Sequence, residues 1–160
     1  MPNVYRPTAP EPVNPDGRLE EVERFFDRLG VDIRHGGSAA YYVPASDHVQ
    51  MPPFETFRDA AAYYATLGHE CVHWTGHVAR MNRDFSRSTQ AYAREELVAE
   101  LGAAFLCADL GLELEPREDH AAYLGHWLEV LKADKRFLFS AAAHAQRAAD
   151  YLHAHKSDQA

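Results

Sequence analysis

The chain has few cysteines, a deficit of basic residues and no long apolar run, and each shortage excludes a class of protein. Cys71 and Cys107 are the two cysteines among 160 residues. They cannot form a disulfide framework, and their apolar helical surroundings predict reduced core residues. The 16 basic residues against 24 acidic ones give a net charge of −8, which does not suit a surface that binds nucleic-acid phosphates. Charges interrupt every apolar stretch well before 18 residues, so no membrane span is predicted.

The N-terminus also lacks a basic segment followed by an apolar one, so we expect no secretory signal and a cytoplasmic location. Residues 1–16 contain five prolines and no periodicity, which is typical of an extended leader or linker. With 46% hydrophobic residues the chain can build one ordinary core. We therefore expect a single domain over 17–156, followed by a frayed tail at 157–160.

The first third of this domain predicts one helix and a small sheet. Asp16 is predicted to open a helix, because apolar residues at helical spacing follow it, and Gly30 is a typical helix end. Three short apolar runs then alternate with turn residues, at 31–35, 39–44 and 48–52. Two such runs joined by a short turn predict a hairpin, so we expect a small antiparallel sheet.

The remainder of the chain predicts four helices. Their expected bounds are 56–77 (begun by Thr56, with Asp59 three residues on), 91–110 (ended by Gly111), 118–133, and 134–155 (capped by Asp134). Since strands and helices are segregated along the chain, the predicted fold class is α+β, with the small sheet packed on a mostly helical body.

The segment His69-Glu70-Cys71-Val72-His73 has the pattern H-E-x-x-H. Residues four apart lie on one face of a helix, about 6 Å apart along its axis. Both imidazoles can therefore bind one metal ion, while Glu70 can reach a water on that ion. A surface helix that carries these residues by coincidence is the ordinary alternative.

A catalytic zinc usually has a third protein ligand, and two sources are open. His77 lies a further helical turn from the pair, so it fits better as a histidine at a helix end. Glu96 and Glu100 share one face of the next helix. We expect Glu96 to bind the metal and Glu100 to hydrogen-bond the far nitrogen of a ligand histidine. Glu95 points about 100° away and is expected to be solvated.

These segments, "HECVHWTGH" and "YAREELVAELGAAFLCADLG", together with "DIRHGGSAAYYVPASDHVQMPPFETF", resemble the zincin metallopeptidase domain of ArdC-type antirestriction proteins, which plasmids and other mobile elements carry. The resemblance covers about residues 20–152. It implies a zincin-like, gluzincin-type fold with His69, His73 and Glu96 as metal ligands and Glu70 as the catalytic glutamate. The pattern E-x-x-A-[DE] at Glu96–Glu100 favours Glu96 over Glu95.

Full-length members of that family carry an N-terminal domain that binds single-stranded DNA, and here only the proline-rich leader precedes the peptidase region. We therefore expect no direct DNA binding by this chain. The expected cofactor is Zn²⁺, although imidazole and carboxylate ligands also accept Mn²⁺ or another divalent transition metal.

The first functional hypothesis is a zinc metallopeptidase that acts on a protein or peptide. Glu70 would act as the general base, and His144 or Tyr92 could donate a hydrogen bond to the oxyanion. A sheet edge, "DHVQMP" or "AAYYVP", could align the substrate as an added strand. The alternative is a non-catalytic acidic protein with a structural metal that docks on a restriction enzyme or another DNA-handling enzyme. The scattered acidic residues do not favour it.

Overall fold

A computed structural model describes residues 17–113, 129 and 135–157. These residues form four α-helices and a three-stranded sheet, which confirms the α+β class. The bounds are α1 Glu20–Asp27, β1 Asp32–His35, β2 Tyr41–Val43, β3 His48–Met51, α2 Ala60–Thr75, α3 Thr89–Asp109 and α4 Lys135–Ala154. The predicted leader, the Asp134 cap and nearly all of the predicted 118–133 helix lie outside the described residues.

Two helix starts differ from their predictions. Helix α1 begins at Glu20 rather than Asp16, because Gly17 has a φ of +80°, which is incompatible with a right-handed helix. Helix α2 begins after Asp59, whose side chain accepts a hydrogen bond from the Ala62 N–H. Thr56 instead ends a short 3₁₀ turn. At the other end of α1, Gly30 has a φ of +68° and ends the helix as predicted.

The sheet is mixed, with the order β1-β3-β2, so the prediction of an antiparallel sheet is only partly correct. Strand β2 pairs antiparallel with β3, but β1 pairs with β3 in parallel. Gly36 and Gly37, with φ values of +150° and +69°, turn the chain away from β1 so that β3 can lie in the centre. The burial pattern explains the order, since β3 contributes fully buried Val49 and Met51.

The core lies where α2 packs against α3 and α4, with α1 and the sheet closing its remaining sides. Helix α2 is buried on nearly all sides, which its largely apolar sequence permits, since Glu70 is its one acidic residue and it has no lysine or arginine. Helices α2 and α3 approach closely because Gly102 has no side chain: a Cβ there would lie 2.8 Å from a methyl group of Val72. Both cysteines are free and buried, as predicted. Among the described residues, no helix is long and apolar enough to cross a membrane.

Candidate metal centre

Helix α2 presents the two histidines of the H-E-x-x-H pattern toward the same point. His69 and His73 are one turn apart, and their Nε2 atoms are separated by 3.2 Å. Two ligands bound tetrahedrally at about 2.0–2.1 Å from an ion lie about 3.3 to 3.4 Å apart. The spacing of the two imidazoles therefore suits a shared metal ion.

Helix α3 supplies the third group of the cluster. One carboxylate oxygen of Glu96 lies 3.2 Å from Nε2 of His73, and the other lies 3.5 Å from Nε2 of His69. Among the described residues, His69, His73 and Glu96 form a group whose ligand atoms all lie within 4.8 Å of one another. Two nitrogens and one carboxylate at these separations fit a small divalent cation.

Each ligand histidine has a glutamate at its other ring nitrogen. Nδ1 of His69 lies 3.3 Å from Glu100, and Nδ1 of His73 lies 3.1 Å from Glu95. A carboxylate at Nδ1 favours the tautomer that carries its proton there, which leaves the Nε2 lone pair directed toward the metal position. The structure thus places Glu100 beside the far nitrogen of a candidate ligand histidine, which is the position expected from the sequence.

The prediction that Glu95 is solvated is wrong. Glu95 is 5% exposed, and besides His73 it contacts Arg83 through both carboxylate oxygens, each at 2.9 Å. The chain after α2 turns back at Gly76 and carries Arg83 against the start of α3. The sequence offered one sign of this arrangement: a ligand histidine requires a partner for its second nitrogen, and Glu95 and Glu100 were both available.

Hydrogen bonds outweigh burial in setting the charge of the ligands. Burial lowers the pKa of His69, but Glu100 and Glu96 raise it to about 10. Burial raises the pKa of Glu96, but the two histidines lower it to about 2. Glu96 is therefore ionised, as a carboxylate ligand must be, whereas His69 must lose a proton from Nε2 when a metal ion binds.

Glu70 lies beside this group and outside it. Glu70 is 7% exposed, and the backbone N–H of Tyr42, the central residue of β2, favours the charged form of its carboxyl. Burial raises the pKa of Glu70, although His69 and His73 oppose that shift. A carboxyl whose pKa is raised, next to a cation site, is suited to accept and return a proton.

A cavity of about 690 Å³ opens over these residues. Its walls include His69, Glu70 and Glu96, the β2 residues Tyr41 and Tyr42, and Tyr92 of α3. Because β3 is central, its segment "DHVQMP" is not a sheet edge, and β2 is the strand that borders the cavity.

Two of the histidines considered from sequence lie elsewhere. His144 of α4 contributes to a separate pocket of about 180 Å³ behind Arg83 and Glu95, so the structure does not place it in the main cavity as an oxyanion donor. His77 lies in the turn after α2, where its Nδ1 accepts a hydrogen bond from the Ala79 N–H. Neither residue belongs to the ligand group.

The fold and this site define the class of the protein. Residues 20–144 match the family model described as zincin-like metallopeptidase, and the chain belongs to that family. The particular similarity is to the antirestriction protein ArdC of plasmid R388. Its Mn(II)-bound crystal structure superposes with a TM-score of 0.74 at 48% identity, over 84% of this chain and 51% of that one. A metal-free structure of ArdC gives 0.73 at 47% identity, over 92% and 52% of the two chains.

Two further relatives extend the comparison. The y4eC protein of Sinorhizobium fredii is 55% identical over 155 residues, which are 94% of this chain and 50% of that protein. The DNA primase TraC of Escherichia coli is 38% identical over 144 residues, 88% of this chain and 14% of the primase. The chain thus spans about half the length of ArdC and y4eC. It carries the His-His-Glu metal site within a zincin-like domain.

Proposed function

We propose that this domain is a zinc-dependent metallopeptidase, related to the antirestriction proteins of mobile elements, that hydrolyses peptide bonds in a protein or peptide substrate. The observation that supports the proposal most strongly is that the three candidate ligands and the candidate base occupy separate, adjacent positions. His69, His73 and Glu96 converge on one point, while the carboxyl of Glu70 lies buried beside them and is not part of the group.

The donor set agrees with the proposed cofactor. Two imidazoles and one carboxylate are a common zinc ligand set in peptidases, and such sites also accept Mn²⁺. When bound, such an ion supplies Lewis-acid chemistry, lowering the pKa of water and polarising a carbonyl oxygen. The Mn(II) in the ArdC structure supports a divalent ion here without distinguishing manganese from zinc.

Glu70 would be the general base. Its carboxylate takes a proton from the attacking water and returns it to the nitrogen that leaves when the peptide C–N bond breaks. Burial, which raises the pKa of Glu70, strengthens the carboxylate as a base. The backbone N–H of Tyr42 would favour the charged form of this carboxylate.

Strand β2 and Tyr92 would bind and polarise the substrate. In β2, Tyr42 pairs across from Val49, and its N–H is directed away from β3 to Glu70. The carbonyl of the same residue is therefore on the cavity side, where it can accept an N–H from an extended peptide. Tyr92 precedes Glu96 by four residues, so both lie on one face of α3, and its hydroxyl is the proposed oxyanion donor.

Replacing Glu70 by Gln tests the proposal. The substitution keeps the side-chain volume and removes the base, so Glu70→Gln should retain bound zinc and lose at least about 100-fold in hydrolysis rate. Hydrolysis is measured by mass spectrometry on a mixture of unstructured peptides, with zinc content determined in parallel. Glu113→Gln, which removes a carboxylate at the outer wall, is the control and should retain both properties.

Restriction of incoming DNA, measured in cells that express the same variants, distinguishes hydrolysis from docking. If the domain protects incoming DNA from restriction by proteolysis, the Glu70→Gln variant should not protect it. Full protection by Glu70→Gln, with protection lost on neutralising the acidic residues Glu113, Glu115 and Glu118, would contradict the proposal and favour an acidic docking protein.

A further inference from the structure

Arg83 lies in the loop between α2 and α3, yet its side chain is only 6% exposed. Nε and Nη2 donate to the two carboxylate oxygens of Glu95, both at 2.9 Å. Nη1 donates to Oγ1 of Thr75 at 2.9 Å, and Nη2 also donates to the carbonyl oxygen of Val72. One loop residue thus joins the last turn of α2 to the first turns of α3.

The same carboxylate continues the chain of contacts to the metal centre. Oε1 of Glu95 accepts from Arg83 and lies 3.1 Å from Nδ1 of His73, whose Nε2 lies 3.2 Å from Glu96. A two-point guanidinium–carboxylate pair has a fixed planar geometry, so it fixes the direction of the oxygen that His73 contacts. Arg83, Glu95 and His73 therefore form one continuous chain of buried polar contacts.

Arg83 supplies the positive charge that keeps the Glu95 carboxylate in this chain of contacts. Glu95 is buried and directly precedes Glu96 in the chain. A buried carboxylate without a cation of its own is costly, so without Arg83 the side chain would turn toward solvent and His73 would lose its acceptor.

We propose that Arg83 is a positioning residue of the metal centre: through Glu95 it holds His73 in the orientation and tautomer that bind the ion. Asp84, Phe85 and Ser86 follow Arg83 directly and form part of the cavity wall, so the same anchor places that wall relative to the metal. The inference rests on the metal-binding part of the proposed function and is independent of peptide hydrolysis.

Gly76 permits this arrangement. A Cβ on Gly76 would lie 2.7 Å from the Phe85 ring and 2.9 Å from the Arg83 guanidinium. Its φ of −79° is ordinary, so the requirement for glycine is one of space and not of backbone conformation. The loop can therefore fold back over the end of α2 only where this side chain is absent.

Arg80 offers a matched control. It is in the same loop, pairs with Asp47 at 3.0 Å, donates to the Trp74 carbonyl oxygen and stacks on the Trp74 ring at 3.8 Å. Its ion pair fixes the β2–β3 turn against α2 and does not involve a metal ligand or its hydrogen-bond partner. Loss of Arg80 should therefore reduce stability without reaching the histidines.

The experiment compares Co²⁺ affinity, measured by visible absorbance and by competition with Zn²⁺, in four variants whose folding is checked by circular dichroism. Arg83→Met and Glu95→Gln should each weaken Co²⁺ binding by about 10-fold or more and alter the absorption spectrum, as loss of a ligand's hydrogen-bond partner does. Arg80→Met should change affinity by less than about twofold, because it acts at a separate position.

The double variant Arg83→Met/Glu95→Gln provides a second test if Arg83→Met alone is too unstable. It removes the whole ion pair, so it should fold better than Arg83→Met, since no buried charge is left uncompensated. Its Co²⁺ affinity should remain low, because His73 still lacks a carboxylate. Wild-type affinity in the folded double variant would overturn the inference and leave the proposed function intact. A wild-type chain that binds no Co²⁺ or Zn²⁺ would overturn both.

Discussion

At the scale of single residues, sequence spacing predicts some members of the site, and only the folded structure identifies the others. His69, Glu70 and His73 could be assigned from the sequence, because helix geometry alone places the two histidines on one face. The choice between the adjacent Glu95 and Glu96 needed the direction of a second helix. The family resemblance favoured Glu96, and the structure brings Glu96 to the ligand group.

The burial of Glu95 could not be predicted from helix spacing, because it depends on Arg83, twelve residues earlier in a loop without periodicity. An isolated glutamate one position from a ligand is solvated by default. Only the return of the loop over Gly76 provides the cation that makes its burial favourable. Helix periodicity contains no information about such a contact.

The ligand assignment predicts unequal effects of two substitutions. Glu96→Ala should weaken zinc binding by about 10-fold or more, because it removes a group that contacts the ion directly. His77→Ala should leave the affinity nearly unchanged, since His77 lies in the turn beyond α2. Competition with a chromophoric chelator measures both. A large loss with His77→Ala and none with Glu96→Ala would reverse the assignment.

At the scale of elements, the helices that the structure describes were predicted within a few residues, whereas the parallel pairing in the sheet was not. Helix α2 has a largely apolar sequence that follows a capping aspartate. The parallel pairing of β1 with β3 depends on which strand takes the centre, and short runs of similar hydrophobicity do not determine that order. The predicted hairpin is present between β2 and β3, but the turn at Gly36 and Gly37 leads the chain past the position that β3 fills, so β1 and β2 are not neighbours.

Alanine substitutions at two helical glycines test how closely α2 and α3 are packed. Gly102→Ala should destabilise the fold by about 1–2 kcal/mol, because its Cβ would meet Val72 at 2.8 Å and this overpacking exceeds the gain in helix propensity. Gly68→Ala places its Cβ 3.7 Å from Leu106, an ordinary contact, and should stabilise the fold by up to about 1 kcal/mol.

Urea unfolding monitored by circular dichroism measures both free energies. Because Val72 lies between the ligands His69 and His73, the Gly102→Ala variant should also bind zinc more weakly than Gly68→Ala. Equal stabilities for the two variants would show that the helices separate without cost, and would contradict the account of how α3 is held against the metal centre.

At the scale of the whole molecule, part of the acidic character of the chain has a local explanation. Glu70, Glu95, Glu96 and Glu100 lie around one position, where a divalent cation and Arg83 would offset much of their charge. A bound divalent cation would change the net charge of −8 to −6, so the metal centre explains only part of the acidic excess. The chain covers about half of ArdC and y4eC, which share this domain.

The metal content of the purified chain tests the central claim most directly. After dialysis against zinc and removal of free ions, elemental analysis should find close to one equivalent of zinc per chain, and none in His69→Ala or His73→Ala. The bound ion should also raise the unfolding temperature, because it binds the folded state alone. Wild-type protein that remains metal-free after zinc is offered, or alanine variants that keep a full equivalent, would contradict the account.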